Sequence, residues 1–183
     1  HVEAMKVSHS GIGEWEIQSV IEGHFMNRKS QWSYPSIVGG GENGTILHYN
    51  TNKSIVNDGD LVLVDAGCEV HGYASDVTRT WPVNGKFTDP QREIYELVLK
   101  AELAGIEACQ KGSSWLSIHT AASQVLAAGL IKLGILDCSI DDAIGDPEKF
   151  DGPYRNFFMH GTGHFLGLDV HDVGGGRQGD DDK

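Results

Sequence analysis

Cysteine is scarce in this chain of 183 residues, and its spacing matches no cysteine motif. The three cysteines, Cys68, Cys109 and Cys138, are odd in number and include no Cys-x-x-Cys pair. A disulfide framework and a zinc ribbon are both disfavoured, because each needs paired or closely spaced cysteines. We interpret the three side chains as reduced, partly buried thiols, which predicts an intracellular compartment.

Basic residues and long apolar runs are also in short supply. Lysine and arginine number 14 against 26 acidic residues, so the net charge is −12 and the isoelectric point is near 5.0. This balance argues against nucleic acid or an acidic membrane surface as a partner, since either needs a basic face. No apolar run reaches transmembrane length, and no signal or transit sequence is visible. Because the first residue is His1 rather than Met, we expect the natural N-terminus to lie outside this sequence.

Several common catalytic motifs are missing as well. The glycine-rich stretch at residues 38–44 lacks the Gly-Lys-Ser/Thr ending of a phosphate loop. The chain has no Gly-x-Ser-x-Gly motif, and no cysteine lies near a histidine motif. A nucleophilic serine or cysteine mechanism therefore has weak support.

The chain does contain enough periodic apolar sequence for a mixed helix and strand fold. Hydrophobic residues make up 39%, enough for a packed core. Helical spacing and capping residues predict helices over residues 13–28, 88–110 and 114–133, the second with Ile94, Leu97, Val98, Ala101 and Ala104 inward. Short apolar runs predict strands over residues 45–49, 61–65, 73–81, 157–160 and 168–171. Loops are expected over residues 30–45, a surface insertion over 141–153 and an unstructured tail over 174–183. Helices combined with an antiparallel hairpin predict an α+β fold.

Two aspartates are placed where a buried strand pair would bring them together. Asp65 ends the apolar run 61–65, and Asp76 lies in the next predicted strand beyond a glycine-flanked turn. If these strands pair as a hairpin, both carboxylates can reach one spot. Two buried like charges cannot both remain ionised unless a positive charge lies between them. A divalent metal would satisfy this requirement; a surface hairpin with two solvated aspartates is the alternative.

Three histidines follow within twelve residues: His160, His164 and His171. The glycines between the first two disfavour a helix and favour a tight turn. Imidazole can ligate a metal or transfer protons near neutral pH. Mixed oxygen and nitrogen ligation suits manganese, cobalt or zinc, and two such ions can activate a water and polarise a carbonyl. The residues thus favour metal-dependent amide hydrolysis, although isolated histidines are more often structural.

Four stretches together resemble aminopeptidase P, the Xaa-Pro aminopeptidase family of the pita-bread metallopeptidases. They are residues 46–49 (Ile-Leu-His-Tyr), 60–69 (Asp-Leu-Val-Leu-Val-Asp-Ala-Gly-Cys-Glu), 75–87 (beginning Ser-Asp-Val-Thr-Arg-Thr-Trp-Pro) and 160–172 (beginning His-Gly-Thr-Gly-His-Phe). The wording of the third stretch also resembles the mitochondrial branch, whose members trim single residues from imported proteins. The resemblance implies an α+β pita-bread fold of two pseudo-symmetric halves, incomplete here, over residues 1–173, with residues 174–183 as a Gly/Asp-rich tail.

The resemblance also implies roles for individual residues. Asp65 and Asp76 would be metal ligands, with Asp76 bridging two ions, and His164 would be a ligand to one of them. His160 and His171 would be catalytic, while His48 would bind the substrate on its proline side. The implied cofactors are two divalent ions, usually manganese, with zinc or cobalt as alternatives. The implied partners are peptides with a free N-terminus, and the protein would be a homo-oligomer, a dimer or tetramer, in the cytoplasm or mitochondria.

One part of the family pattern has no counterpart in this sequence. The family supplies two glutamate ligands after the last histidine motif, and here no glutamate follows Glu148. We expect the chain to be an excerpt of a longer enzyme, which by itself would hold at most a partial site. A Xaa-Pro aminopeptidase is the leading hypothesis. The alternatives are a trimming peptidase of broader specificity, a prolidase, or a non-catalytic pita-bread module that binds peptides or proteins.

Overall fold

The computed structural model describes residues 1–146 and 149–173, and these form two compact units. The first unit contains residues 1–88 and 165–173, and the second contains residues 89–164. The predicted tail at 174–183 lies outside the described residues, as do two residues of the predicted insertion. Within the described ranges, no helix has both the length and the apolar character needed to cross a membrane.

The first unit combines two helices with two small antiparallel sheets. Its helices are α1 (Val2–Val7) and α2 (Glu14–Met26), and a 3-10 helix covers Gly41–Thr45. Its strands are β1 (Gln31–Trp32), β2 (Ile37–Gly40), β3 (Leu61–Asp65), β4 (Cys68–Val70), β5 (Tyr73–Ala74) and β6 (Thr78–Pro82). The strand orders are β2-β3-β6 and β1-β4-β5, with every pairing antiparallel.

Strand β3 is central to the first sheet and confirms the predicted strand at 61–65. It alternates rather than being buried on both faces: Val62 and Val64 are fully buried, whereas Asp65 is half-buried. The two valines join a core with Ile17 and Ile21 of α2, which confirms the amphipathic helix predicted there. Alternation follows from the two-residue period of a strand. It places Asp65 on the less buried face, opposite the core.

The predicted hairpin partner of β3 is divided into two strands. Only β6 pairs with β3, with Asp65 opposite Thr78, whereas β5 pairs with β4 in the other sheet. The strand predicted at 45–49 is wrong, because a turn follows the 3-10 helix and His48 has a left-handed backbone with φ of 55°. The loop predicted over 30–45 is also partly wrong, since it contains β1 and β2.

The second unit is built on a pair of long helices. These are α3 (Asp89–Ala108) and α4 (Trp115–Lys132), followed by the short α5 (Ile140–Ile144) and a 3-10 helix at Pro153–Asn156. Both long helices confirm the prediction, and the Ser114 side chain caps α4 by accepting from the Ser117 amide. On α3, Ala101 is buried as predicted, but Ile94 and Val98 are exposed. Val98 instead lines a cavity of this unit.

Three further predicted segments differ in the structure. The segment 141–153, predicted as a surface insertion, is partly buried, because Ala143 and Ile144 of α5 pack in a core with Tyr154. Residues 157–160 form no strand: the amides of Phe157 and Phe158 donate to the Tyr154 carbonyl and continue the preceding turn. Residues 168–171 form no strand either, because they lie inside a turn closed by an isolated bridge between Phe165 and Asp172.

Candidate active site

Asp65 and Asp76 meet at a single phenol in the first unit. The Tyr34 hydroxyl donates to Asp76 Oδ1 at 2.8 Å and also lies within hydrogen-bond distance of Asp65 Oδ1. The prediction that both carboxylates reach one spot is therefore confirmed. A phenol has one proton and can donate fully to only one oxygen at a time. The other carboxylate must take its donor from elsewhere, and the Thr78 side chain also hydrogen-bonds to Asp65.

The backbone explains why two residues eleven positions apart meet. The Ala66 amide donates to the Val77 carbonyl at 3.1 Å, and the Gly67 carbonyl accepts from Ser33. Ser33 Oγ in turn donates to the Ser75 carbonyl at 2.7 Å. A Cβ on Gly67 would lie 1.7 Å from the Ser75 carbonyl oxygen, so only glycine permits this approach. The Asp-Ala-Gly sequence thus ends one strand while leaving room for the next carboxylate.

The electrostatics of this pair favour a positive charge. Burial raises the pKa of Asp65; the Tyr34 hydrogen bond opposes that rise, and the neighbouring Asp76 carboxylate adds to it. The pKa of Tyr34 is raised strongly, first by burial and then by its contacts with Asp65. Tyr34 therefore remains a neutral hydrogen-bond donor. The two carboxylates share a place where holding both negative charges is unfavourable without compensation.

A cavity of about 240 Å³ opens next to the aspartates. Besides Asp65, Asp76 and Tyr34, its walls include His48 and His171. Four of the six residues predicted for the site therefore lie around one cavity in the first unit. Two carboxylates and two imidazoles around a concave pocket provide both anionic and proton-transferring groups.

The two histidines reach the cavity from irregular segments. His48 follows the 3-10 helix, in the turn where the Tyr49 amide donates to the Ile46 carbonyl. His171 lies in the segment 165–173, which is held to β5 by a hydrogen bond of 2.8 Å from the Ala74 amide to the Gly167 carbonyl. Asp172 folds that segment on itself by accepting from the Leu168 amide at 2.9 Å.

His160 and His164 belong to the second unit and line a different cavity, of about 540 Å³. Both are exposed in this unit, and the His160 ring packs edge-on against Phe158 with centroids 4.7 Å apart. A third histidine of this unit, His119, is buried, with 7% of its surface exposed. Its ring nitrogens contact Thr162 Oγ1 at 2.7 Å and the Tyr154 hydroxyl at 3.1 Å. Burial, followed by the charges of Arg155 and His160, lowers the pKa of His119.

The donor chemistry of the first unit fits a divalent cation in part. Asp65 and Asp76 provide carboxylate oxygens of the kind that manganese and similar ions accept. Across residues 1–146 and 149–173, however, no group of three or more histidine, cysteine or acidic side chains is arranged to hold a metal. Asp65 and Asp76 would thus supply two donor residues to such a site.

Sequence reasoning did not find Tyr34 or the buried carboxylate of Glu14. Tyr34 lies in a stretch predicted as loop, and its neighbour Pro35 reinforces that reading. Glu14 is fully buried at the start of α2, where an acidic residue is ordinary in sequence terms. No local signal distinguishes either residue, because their partners come from distant segments.

Comparisons with known proteins identify relatives of this chain. Residues 1–183 match Metallopeptidase family M24. A Xaa-Pro aminopeptidase of Haemophilus influenzae is 50% identical over 95% of this chain, which spans 40% of that protein. A variant of Escherichia coli aminopeptidase P in complex with substrate is 46% identical with a TM-score of 0.88, covering 96% of this chain and 39% of that one. The zinc-substituted E. coli enzyme in complex with product has a TM-score of 0.87 at 46% identity, over 93% of this chain and 38% of the other.

These likenesses confirm the resemblance to aminopeptidase P and the α+β pita-bread fold class. The chain spans about two fifths of the length of the relatives it matches. With a match over its whole length, the chain belongs to Metallopeptidase family M24.

Proposed function

We propose that the protein containing this chain is a metal-dependent aminopeptidase that removes the residue before a penultimate proline. The observation that carries the proposal is the convergence of Asp65 and Asp76 on Tyr34, beside a cavity that His48 and His171 also line. The names of the similar proteins, a Xaa-Pro aminopeptidase and an aminopeptidase P with bound substrate, support the same activity. Residues 1–173 would form part of its catalytic domain.

The aspartates would bind two divalent ions, with Asp76 bridging them. Manganese is the proposed metal, with zinc or cobalt as alternatives; the zinc-substituted relative supports the use of a divalent ion. Once bound, the ions would activate a water and polarise the scissile carbonyl. Tyr34 would keep the two carboxylates directed at one point. His164 would add an imidazole ligand, a role that rests on its motif alone.

The remaining histidines would act on the peptide. His48 lines the cavity wall and would bind the substrate on its proline side. His171 lines the same cavity and would stabilise the tetrahedral intermediate or direct the proton to the leaving amine. His160 would share that task, again on the strength of its motif. Peptides with a free N-terminus are the proposed partners, and the enzyme would be a dimer or tetramer.

The replacement Asp76→Asn in the complete protein tests the proposal. It keeps the shape of the side chain but removes a bridging charge, so manganese-dependent hydrolysis of a Xaa-Pro peptide should be abolished. Asp58→Asn is the matched control, because Asp58 is an exposed turn residue that accepts from Asn84. Full activity in Asp76→Asn would overturn the proposed site.

The substrate preference needs a separate experiment. Hydrolysis of matched peptides with proline or alanine at the second position would separate a Xaa-Pro aminopeptidase from a trimming peptidase of broader specificity. A dipeptide series would identify a prolidase. Cleavage of the longer peptides only when proline is second is the expected result, whereas equal cleavage of both longer peptides would contradict the proline preference.

A further inference from the structure

Glu14 is a fully buried acidic residue that does not line the cavity beside Asp65 and Asp76. It is the first residue of α2 and is 0% exposed. Its carboxylate accepts four hydrogen bonds, which come from the Gly40 amide at 2.9 Å, Asn43 Nδ2 at 2.9 Å, the Tyr49 hydroxyl at 2.8 Å and the Ser54 amide at 2.9 Å. Burying a carboxylate is costly unless its oxygens are satisfied in this way.

All four donors come from one stretch of chain, residues 40–54, which we call the His48 segment. Apart from Gly40, which ends β2, and the 3-10 helix at Gly41–Thr45, this segment has no regular secondary structure. Asn43 Nδ2 also contacts the Tyr49 hydroxyl and Ser54 Oγ, each at 3.0 Å, so the donors are linked to one another. Tyr49 directly follows His48, whose left-handed backbone is otherwise disfavoured. The residue next to His48 is therefore held directly by Glu14.

The chemistry of the anchor requires a carboxylate and not merely a polar group of that size. Each Glu14 oxygen accepts from two donors: Oε1 from Gly40 and Asn43, and Oε2 from Tyr49 and Ser54. An amide at this position could accept on one side only. Its NH2 group would face two donors on the other side, leaving buried polar groups unpaired. The charge also lies in the first turn of α2, where the helix dipole favours it.

We infer that Glu14 is a positioning residue that fixes the His48 segment and thereby holds His48 at the wall of the substrate cavity. The inference rests on the proposed function, in which His48 binds the peptide. Glu14 is not itself at that wall, whose residues include His48 and Asn50 from this segment. Its effect on hydrolysis would be transmitted through the backbone of residues 43–49. Loss of the anchor should weaken substrate binding more than it slows the chemical step.

Two variants of the complete protein and one control test the inference. Glu14→Gln removes half of the acceptors, and Tyr49→Phe removes one donor while leaving the carboxylate in place, so it serves if Glu14→Gln fails to fold. Glu16→Gln is the control, because Glu16 is exposed in the same helical turn and accepts from the Gly13 amide. Tyr49→Phe should lower kcat/KM for a Xaa-Pro peptide about tenfold, mainly through KM, as expected for one hydrogen bond to a charged group. Amide hydrogen exchange in residues 43–54 should become faster in Tyr49→Phe and stay unchanged in Glu16→Gln.

A double-mutant cycle separates positioning from general stability. In a His48→Ala background, Tyr49→Phe should change kcat/KM by less than about twofold, because its effect acts through the missing imidazole. A full tenfold loss in that background, or unchanged exchange in Tyr49→Phe, would overturn the inference. A third outcome is faster exchange in Tyr49→Phe together with an unchanged kcat/KM in His48→Ala. In that case the proposed role of His48 is wrong, and the positioning role of Glu14 is wrong with it. Exchange measured without substrate thus distinguishes the two failures.

Discussion

Replacing Tyr34 by phenylalanine removes the hydroxyl that joins the two aspartates. In metal-free protein, Asp65 and Asp76 would then keep their half-buried positions without their shared donor. A hydrogen bond to a charged group contributes about 1.5–3 kcal/mol, and partial exposure favours the lower end, so we expect a loss of about 1.5 kcal/mol in the free energy of unfolding. A bound divalent cation compensates the same carboxylates, so the loss should shrink when manganese is saturating.

Urea denaturation of the complete protein, with chelator and with excess manganese, measures this difference. Tyr73→Phe is the matched control, because Tyr73 is exposed and its hydroxyl makes a long hydrogen bond, of 3.3 Å, to the Leu166 carbonyl. Manganese should therefore stabilise Tyr34→Phe more than it stabilises wild type or Tyr73→Phe. Equal stability of Tyr34→Phe and wild type without metal would refute the reasoning, as would an equal loss with and without manganese.

Three further predictions concern the two units separately. Gly67→Ala places a methyl group 1.7 Å from the Ser75 carbonyl oxygen, so it should lower the free energy of unfolding by about 3 kcal/mol and impair manganese binding. Gly23→Ala places its methyl group in open space, with nothing within 4 Å, so it should stabilise α2 by roughly 0.5–1 kcal/mol. For His119, the lowered pKa means that the unfolded state binds more protons below about pH 6.5, so stability should fall as pH drops through that value. His119→Gln should make that pH dependence shallower in denaturation curves from pH 7.5 to 5, and an unchanged slope would contradict the assignment.

The elements predicted correctly are those specified by local sequence. Helices α3 and α4 were predictable because their capping residues and apolar spacing act within a few residues. Strand β3 was predictable because its apolar run ends at a carboxylate and a glycine. The convergence of Asp65 and Asp76 followed from the hairpin expectation, although the strand that pairs with β3 is shorter than predicted.

The parts that were missed depend on distant partners. Residues 45–49 were predicted as a strand from their apolar residues, but they form a turn that Tyr49 anchors to Glu14, 35 positions earlier in the sequence. Residues 157–160 are apolar and were predicted as a strand, yet Phe158 packs against His119 of α4 instead, with ring centroids 5.4 Å apart. Neither tertiary contact leaves a periodic pattern in the sequence. The placement of His48 and His171 around one cavity became visible only in three dimensions.

The most direct test of the central claim is a titration of the metal-free complete protein with manganese, following metal content and Xaa-Pro hydrolysis together. The account predicts that activity rises in step with the binding of two ions, and that Asp76→Asn loses both. Hydrolysis that persists at full rate without metal, or stoichiometric metal binding that is unaffected by Asp76→Asn, would contradict it.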